Sequence, residues 1–161
     1  MSKILIIEDD DGIREGLSAL LLTSNYLPLV LDLNYISVEK IQELSPDLIL
    51  LDINLPNING RDFVREIRKS LNTPIIMVTS HNTEMDEALA ISYGADDFIA
   101  KPYNPTILLL RIAAILRRSN LASEIKTYRG LQIDLKKGTI SSVKKPGKII
   151  ELTKNELLIF R

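Results

Sequence analysis

The sequence predicts a doubly wound α/β fold: a five-stranded parallel sheet in the order 2-1-3-4-5, with a C-terminal, incomplete antiparallel β unit entering a helix. Three observations lead there. The apolar runs Ile4–Ile7, Leu48–Leu51 and Ile75–Val78 lack period-two alternation, as strands do when a parallel sheet is covered on both faces. Strand-like and helix-like segments alternate five times in the first 118 residues, the grammar of βαβ units. The strands also end on polar residues, Asp9, Asp52, Thr79 and Lys101, at the carboxyl edge where open α/β sheets bind their ligands.

Lys3-Ile4-Leu5-Ile6-Ile7 is the first strand, and Gly12 to Leu22 follows as a helix with apolar positions 13, 17, 20 and 21. Leu27 to Leu31 is a short second strand; Pro28 suits its start or a sheet edge. Ser37 to Leu44 is helical, with Val38, Ile41 and Leu44 on one face and Ser45-Pro46 ending it. Asp47 to Asp52 is the third strand. Leu55-Pro56-Asn57 and Asn59-Gly60 are turn chemistry, with Pro56 fixing φ and Gly60 free to take positive φ. Asp62 to Leu71 is a helix with Phe63, Val64 and Ile67 inward and Arg61, Arg65, Arg68 and Lys69 outward. Pro74 to Val78 is the fourth strand, and Glu84 to Tyr93 a helix stopped by Gly94 at a left-handed C′ position. Asp97 to Ala100 is the fifth strand, and Pro105 to Arg118 a helix whose basic end complements its dipole.

Beyond Ser119 the pattern changes. Residues 121–126 are expected to form a linker. Leu131–Leu135, Thr139–Val143 and Ile149–Leu152 predict three antiparallel strands joined by turns at Lys136-Lys137-Gly138 and at Lys144 to Lys148. Thr153-Lys154-Asn155-Glu156 is a capping box opening a helix at Leu157 to Phe160, which Arg161 cuts off.

Apolar residues make up 45% and charged residues 25%, a balance that supports a buried core. The absence of cysteine excludes disulfides and thiolate metal sites. No apolar run approaches the roughly 20 residues that span a bilayer, and Met1-Ser2-Lys3 leads straight into a strand without a signal peptide, so a cytoplasmic setting and no membrane partner are expected. The net charge of −1 conceals an asymmetry. Residues 1–121 carry eleven basic against seventeen acidic side chains, residues 122–161 nine against four, so the two parts suit different partners.

In the order 2-1-3-4-5, strands one and three are neighbours, and Asp9, Asp10 and Asp52 converge on one crevice. Clustered carboxylates repel unless a cation sits among them, and oxygen-only ligands at an exposed edge suit Mg²⁺. Plain N-capping of the first helix is the simpler reading of Asp9-Asp10-Asp11 taken alone. Lys101 and Thr79 weigh against it, because metal, ammonium and hydroxyl together complement a phosphoryl group. A carboxylate nucleophile such as Asp52 needs no separate base. His81, the sole histidine, is expected to be a solvated loop residue.

These residues identify a family resemblance. The acidic pair Asp9 and Asp10, the segment Asp52-Ile53-Asn54-Leu55-Pro56 through Gly60, Thr79, and Gly94-Ala95-Asp96-Asp97-Phe98-Ile99-Ala100-Lys101-Pro102 resemble the receiver domain of two-component response regulators. The resemblance implies that residues 1–120 form a phosphoacceptor domain in which Asp52 takes a phosphoryl group from a sensor histidine kinase. It implies Mg²⁺ held by Asp10, Asp52 and the Asn54 carbonyl with Asp9 in support, phosphoryl oxygens bound by Lys101 and Thr79, and a cis bond before Pro102. Thr79 and Phe98 would form the switch; many family members carry Tyr at the latter position, and Phe lacks its hydroxyl. Ser80 stands where a small apolar residue is common. The family often forms homodimers through its fourth helix, fifth strand and fifth helix. Asp96, Asp97, Arg111, Arg117 and Arg118 match that face, whereas Glu87 and Ile107 depart from it, so a more apolar dimer face is expected.

Residues 127–161 are similar to the start of the winged-helix output domain of the OmpR/PhoB class, through Gly130-Leu131, the strand-turn-strand pattern and Leu152-Thr153-Lys154-Asn155-Glu156-Leu157. DNA binding is thus expected of the intact protein and not of residues 1–161, in which that unit is truncated. A phosphotransferase acting on a small molecule is the rival function, and it lacks a Gly-rich nucleotide loop. The expected role is a regulator of transcription that assists its own phosphorylation and dephosphorylation, not a turnover enzyme.

Overall fold

The computed structural model describes residues 1–80, 83–123, 125–134, 139–142, 149–151 and 153. The chain divides into two compact units, Met1–Leu116 and Arg117–Arg161. The first holds a parallel sheet built from β1 (Lys3–Ile7), β2 (Leu27–Val30), β3 (Leu48–Asp52), β6 (Ile75–Thr79) and β7 (Asp97–Ala100). Its order is β2-β1-β3-β6-β7, the predicted one once a two-residue hairpin, β4 (Asn54–Leu55) with β5 (Ile58–Asn59), is allowed for between the third and fourth sheet strands.

The helices are α1 (Asp11–Thr23), α2 (Val38–Leu44), α3 (Gly60–Arg68), α4 (Glu84–Ser92) and α5 (Pro105–Ser123), with a short 3₁₀ turn at Leu33–Tyr35. Strand side chains alternate between two apolar layers. Leu5, Ile7, Ile49, Leu51, Ile75 and Met77 pack with Val38 and Ile41 of α2 and with Phe63, Val64 and Ile67 of α3. Ile4, Ile6, Leu48, Leu50, Ile76 and Val78 pack with Leu17 and Leu21 of α1 and with Leu108, Ile112 and Ile115. Both faces of β1, β3 and β6 are thus covered, which is why the sequence shows continuous apolar runs there. β2 lies at one edge of the sheet, where the Leu27 N–H donates to the Ser2 carbonyl at 2.9 Å.

Helix ends follow local chemistry. Asp10 caps α1 by accepting from the Ile13 N–H, and Ser37 caps α2 by accepting from the Lys40 N–H. Gly94, at φ +107°, ends α4 as expected. α3 starts two residues earlier than predicted, because Asn59 accepts from the N–H groups of both Arg61 and Asp62. Gly60 is therefore the first residue of that helix, and it does not stand among the glycines with positive φ. Its lack of a side chain meets a different need. A Cβ there would lie 2.7 Å from the Ile53 Cα, 2.8 Å from the Ile53 oxygen and 2.9 Å from the Asp52 oxygen.

The C-terminal segment differs from expectation at its start. α5 runs to Ser123, since nothing between Arg118 and Ser123 is a Gly or Pro that would stop it, and strand β8 (Ile125–Tyr128) begins where a linker was predicted. β8, β9 (Leu131–Asp134), β10 (Thr139–Ser142) and β11 (Ile149–Glu151) form an antiparallel sheet in the order β11-β10-β9-β8, one strand more than predicted. β8 and β9 are joined through Arg129 and Gly130, both at positive φ (48° and 81°), the backbone that two-residue hairpins favour. The predicted turns at 136–138 and 144–148, the helix at 157–160 and His81 lie outside the described residues.

Gly60 generates the first prediction. In Gly60→Ala, the new methyl meets three backbone atoms rather than yielding side chains, so unfolding in urea is expected to show a loss of about 1–3 kcal/mol.

Candidate functional site

At the carboxyl edge of the parallel sheet, four strands end side by side. β1 pairs with β3 in a register that sets Ile7 opposite Leu51, so the next residues in line are Glu8 and Asp52. β3 pairs with β6 (Asp52 opposite Val78), and β6 with β7 (Thr79 opposite Ala100). Residues up to 93 apart in sequence thereby reach a common edge.

Lys101 is the hub. Its Nζ donates to Asp52 Oδ2 at 2.9 Å and to Glu8 Oε2 at 2.7 Å. Both acceptors are buried, with Asp52 at 6% and Glu8 at 3% exposure. Asp52 Oδ1 accepts from the Asn54 N–H at 3.0 Å, which fixes the carboxylate and the turn after it. Glu8 Oε1 accepts from the Asp10 N–H at 3.1 Å, and the Glu8 carbonyl accepts from the Arg14 side chain at 3.1 Å. Thr79 is fully buried, its carbonyl accepting from the Lys101 N–H at 2.7 Å. The Lys101-Pro102 bond is cis.

Burial pushes the Glu8 carboxyl above its ordinary 4.5, more strongly than the hydrogen bonds from Lys101 and the Asp10 N–H pull it down; the nearby Asp52 charge adds to the rise. Burial alone would lower Lys101, but hydrogen bonds to Glu8 and Asp52 and their charges outweigh it, so the ammonium is held above its usual 10.5. Tyr103 is also raised, chiefly by burial.

Carboxylate oxygens of Glu8, Asp9 and Asp52 lie within 4.8 Å of one another, a donor set that fits a hard divalent cation. Asp10 stands outside this group. Its exposed carboxylate accepts from the Ile13 N–H at 2.9 Å, the capping role weighed for the acidic run. Glu8 was missed by the sequence reasoning, although strand parity carries the signal: two residues beyond Ile6, it follows the face that Ile6 occupies. Asn54 is exposed beside the cluster.

Phe98 is buried at 6% exposure, in the layer that contains α3 and Ala90 of α4. Next to it, an open cavity of about 400 Å³ is lined by Phe98, Glu87, Tyr103, Ile107 and Arg111 among others. Arg111 donates to Asp97 Oδ1 at 2.7 Å, so these two expected interface residues pair within the chain. Asp96 is engaged elsewhere: its Oδ2 accepts from Arg68 at 2.7 Å and from the Ile75 N–H at 2.8 Å. Ile107 is 49% exposed, and Arg117 and Arg118 are exposed.

Comparison with known proteins gives a consistent result. Residues 4–113 match the family described as response regulator receiver domain. The sensory transduction protein BceR of Halalkalibacterium halodurans is 37% identical over 165 residues, covering 100% of this chain and 70% of its own length. The response regulator ArlR of Staphylococcus saprophyticus is 38% identical over 159 residues, covering 97% and 69%. Among solved structures, the BeF3-activated N-terminal receiver domain of Klebsiella pneumoniae RstA superposes with a TM-score of 0.68 at 34% identity, covering 72% of this chain and 99% of that one. The N-terminal domain of the nisin resistance regulator NsrR gives 0.67 at 40% identity, covering 73% and 99%.

The raised Glu8 carboxyl has a consequence for stability. The folded protein holds this proton to a higher pH than the unfolded chain does, so ionisation of Glu8 opposes folding as pH rises above about 4.5. In urea titrations with a chelator present, the stability of the wild type relative to Glu8→Gln should fall as pH climbs through that window, then level off once Glu8 is ionised. A flat difference would contradict the burial-driven shift.

Proposed function

Because the chain belongs to the response-regulator receiver family, we propose that Asp52 is the residue that accepts a phosphoryl group from a sensor histidine kinase. The observation that carries this reading is the buried Asp52 carboxylate, held 2.9 Å from the Lys101 ammonium at the open edge of the sheet. An Asp52 oxygen attacks phosphorus, the bond from phosphorus to the kinase imidazole breaks, and an acyl phosphate forms. Lys101 meets the charge of the transferred group, and Thr79, the last residue of the adjoining β6, supplies a hydroxyl.

We assign Mg²⁺ to Asp9, Asp52 and the Asn54 carbonyl, with Glu8 beside them; the Asp10 carboxylate is occupied as the α1 cap. When bound, the ion supplies positive charge that offsets the repulsion among carboxylates and phosphoryl oxygens. The relatives are named as regulators, so the role is regulatory rather than turnover of a substrate.

Phosphorylation brings about −1.5 to −2 charges to a site with one ammonium. That charge draws the Thr79 hydroxyl towards the site, and the change reaches Phe98 on the neighbouring strand. Output passes through a homodimer face made by α4, β7 and α5, including Asp97, Ile107 and Arg111, and with Asp96 committed to Arg68 that face is more apolar than charged. Residues 1–120 would be the receiver and residues 127–161 the beginning of a winged-helix unit. Two relatives are named as transcriptional regulatory proteins, which supports transcription control through DNA bound by the intact protein in the cytoplasm.

Two outcomes are expected. Intact mass after acetyl phosphate and Mg²⁺ should show one phosphoryl group on the wild type and none on Asp52→Asn; labelling of the variant would exclude Asp52 as the acceptor. Light scattering of the activated protein should show a dimer that persists from low to high salt, and Ile107→Glu should return it to monomer. A dimer that dissolves in salt would mean that charge pairs hold it.

A further inference from the structure

α4 is attached to its neighbours differently from the other helices. Its only fully buried residue is Ala90, while Met85 and Ile91 are 69% and 48% exposed. α3, by contrast, buries Phe63, Val64 and Ile67. An apolar stripe is what normally seats a helix on a sheet, and α4 has little of one.

Three arginines of α3 make up for it. They were expected to point outward, as the 60% exposed Arg65 does, and each also reaches α4 or the turn that follows it. Arg61 donates to Asp86 Oδ1 at 2.8 Å. The Arg65 guanidinium lies over the Tyr93 ring, 3.9 Å from its centroid. Arg68 donates to the Gly94 carbonyl at 2.8 Å and to Asp96 at 2.7 Å.

Arg61 is distinguished by what stands on either side of it. Asp86 builds the first turn of α4: its Oδ2 accepts from the Thr83 hydroxyl at 2.6 Å, and its N–H donates back to that hydroxyl at 3.1 Å. The other oxygen of the same carboxylate takes Arg61. On the opposite side, Arg61 follows Gly60, whose Cα backs onto the Asp52–Ile53 peptide so closely that no methyl fits between them. Both side chains of the pair are largely removed from solvent, at 27% and 15% exposure. Among the described residues, Arg61 Nε is a buried donor without a hydrogen bond, so the desolvated guanidinium depends heavily on Asp86.

We propose that Arg61 is a positioning residue that couples the backbone beside the acceptor Asp52 to the start of α4, giving a change at the acceptor a second path to that helix besides Thr79. The path is contiguous: Asp52–Ile53 backbone, Gly60, Arg61, Asp86, first turn of α4. The element at its end is held mainly by polar contacts, which rearrange at lower cost than a packed apolar stripe. The inference rests on Asp52 being the acceptor.

The test is hydrogen exchange of the full chain with and without beryllofluoride and Mg²⁺, comparing wild type with Arg61→Gln, Arg61→Lys and Asp86→Asn. Without beryllofluoride, Arg61→Gln should speed exchange of the amides at 84–92 by about ten- to hundredfold, the scale set by one charge-assisted hydrogen bond, while β3 and β6 stay as in wild type. On adding beryllofluoride, the response of α4 should fall to less than half of the wild-type change in Arg61→Gln and in Asp86→Asn, with no further loss when the two are combined. Arg61→Lys should restore most of it, and should carry the comparison if Arg61→Gln unfolds. An α4 response equal to wild type in every folded variant would overturn the coupling. Intact mass after acetyl phosphate separates the two ideas. Labelled variants with a weakened α4 response support the coupling, whereas failure to label the wild type removes the acceptor assignment and the coupling with it.

Discussion

The structure of the parallel unit turns on one ammonium between two buried carboxylates. Lys101 lies within 3 Å of both Glu8 and Asp52 at a sheet edge where burial works against the charges of Glu8 and Lys101. Two acidic groups this close would repel one another if left alone, and one lysine contributed by a third strand compensates both. The arrangement needs strands β1, β3 and β7 in fixed register, so fold and site specify each other. It also leaves the site short of positive charge once another anion arrives, which is the condition under which a divalent ion is favoured.

Much of this was legible in the sequence because buried parallel strands declare themselves as unbroken apolar runs, and the polar residue ending each run marks the edge. Asp52, Thr79 and Lys101 were found in that way, and the parallel sheet followed from the alternation of strands and helices. Glu8 was not found, because a glutamate opening an acidic run looks like the start of a helix cap. The pairing of Ile7 with Leu51 sets Glu8 beside Asp52. Asp10 was grouped with the site for the converse reason: proximity in sequence hid the fact that its carboxylate serves as the N-cap of α1.

Arg61 and Arg68 of α3 were misjudged for a related cause, whereas Arg65 is exposed as expected. Helical periodicity assigns a face to each residue but is silent on what lies across from it. Arginine also has a long apolar stem, so its guanidinium can reach a neighbouring helix from a position that a wheel projection calls outward. Where a linker was expected at residues 121–126, the end of α5 and the start of β8 are found, because a stretch without Gly or Pro can continue a helix already begun.

Pro28 in β2 gives the sheet a protection of its own. Successive residues of a strand direct their amides to opposite sides, and Leu27 sends its N–H inward to Ser2. The nitrogen of Pro28 therefore faces away from β1, at the rim where a foreign strand would otherwise find a donor. With that amide missing and the strand only four residues long, the rim makes a poor template for intermolecular strand addition. Self-association of the parallel unit is thereby steered away from amyloid-like growth at this border.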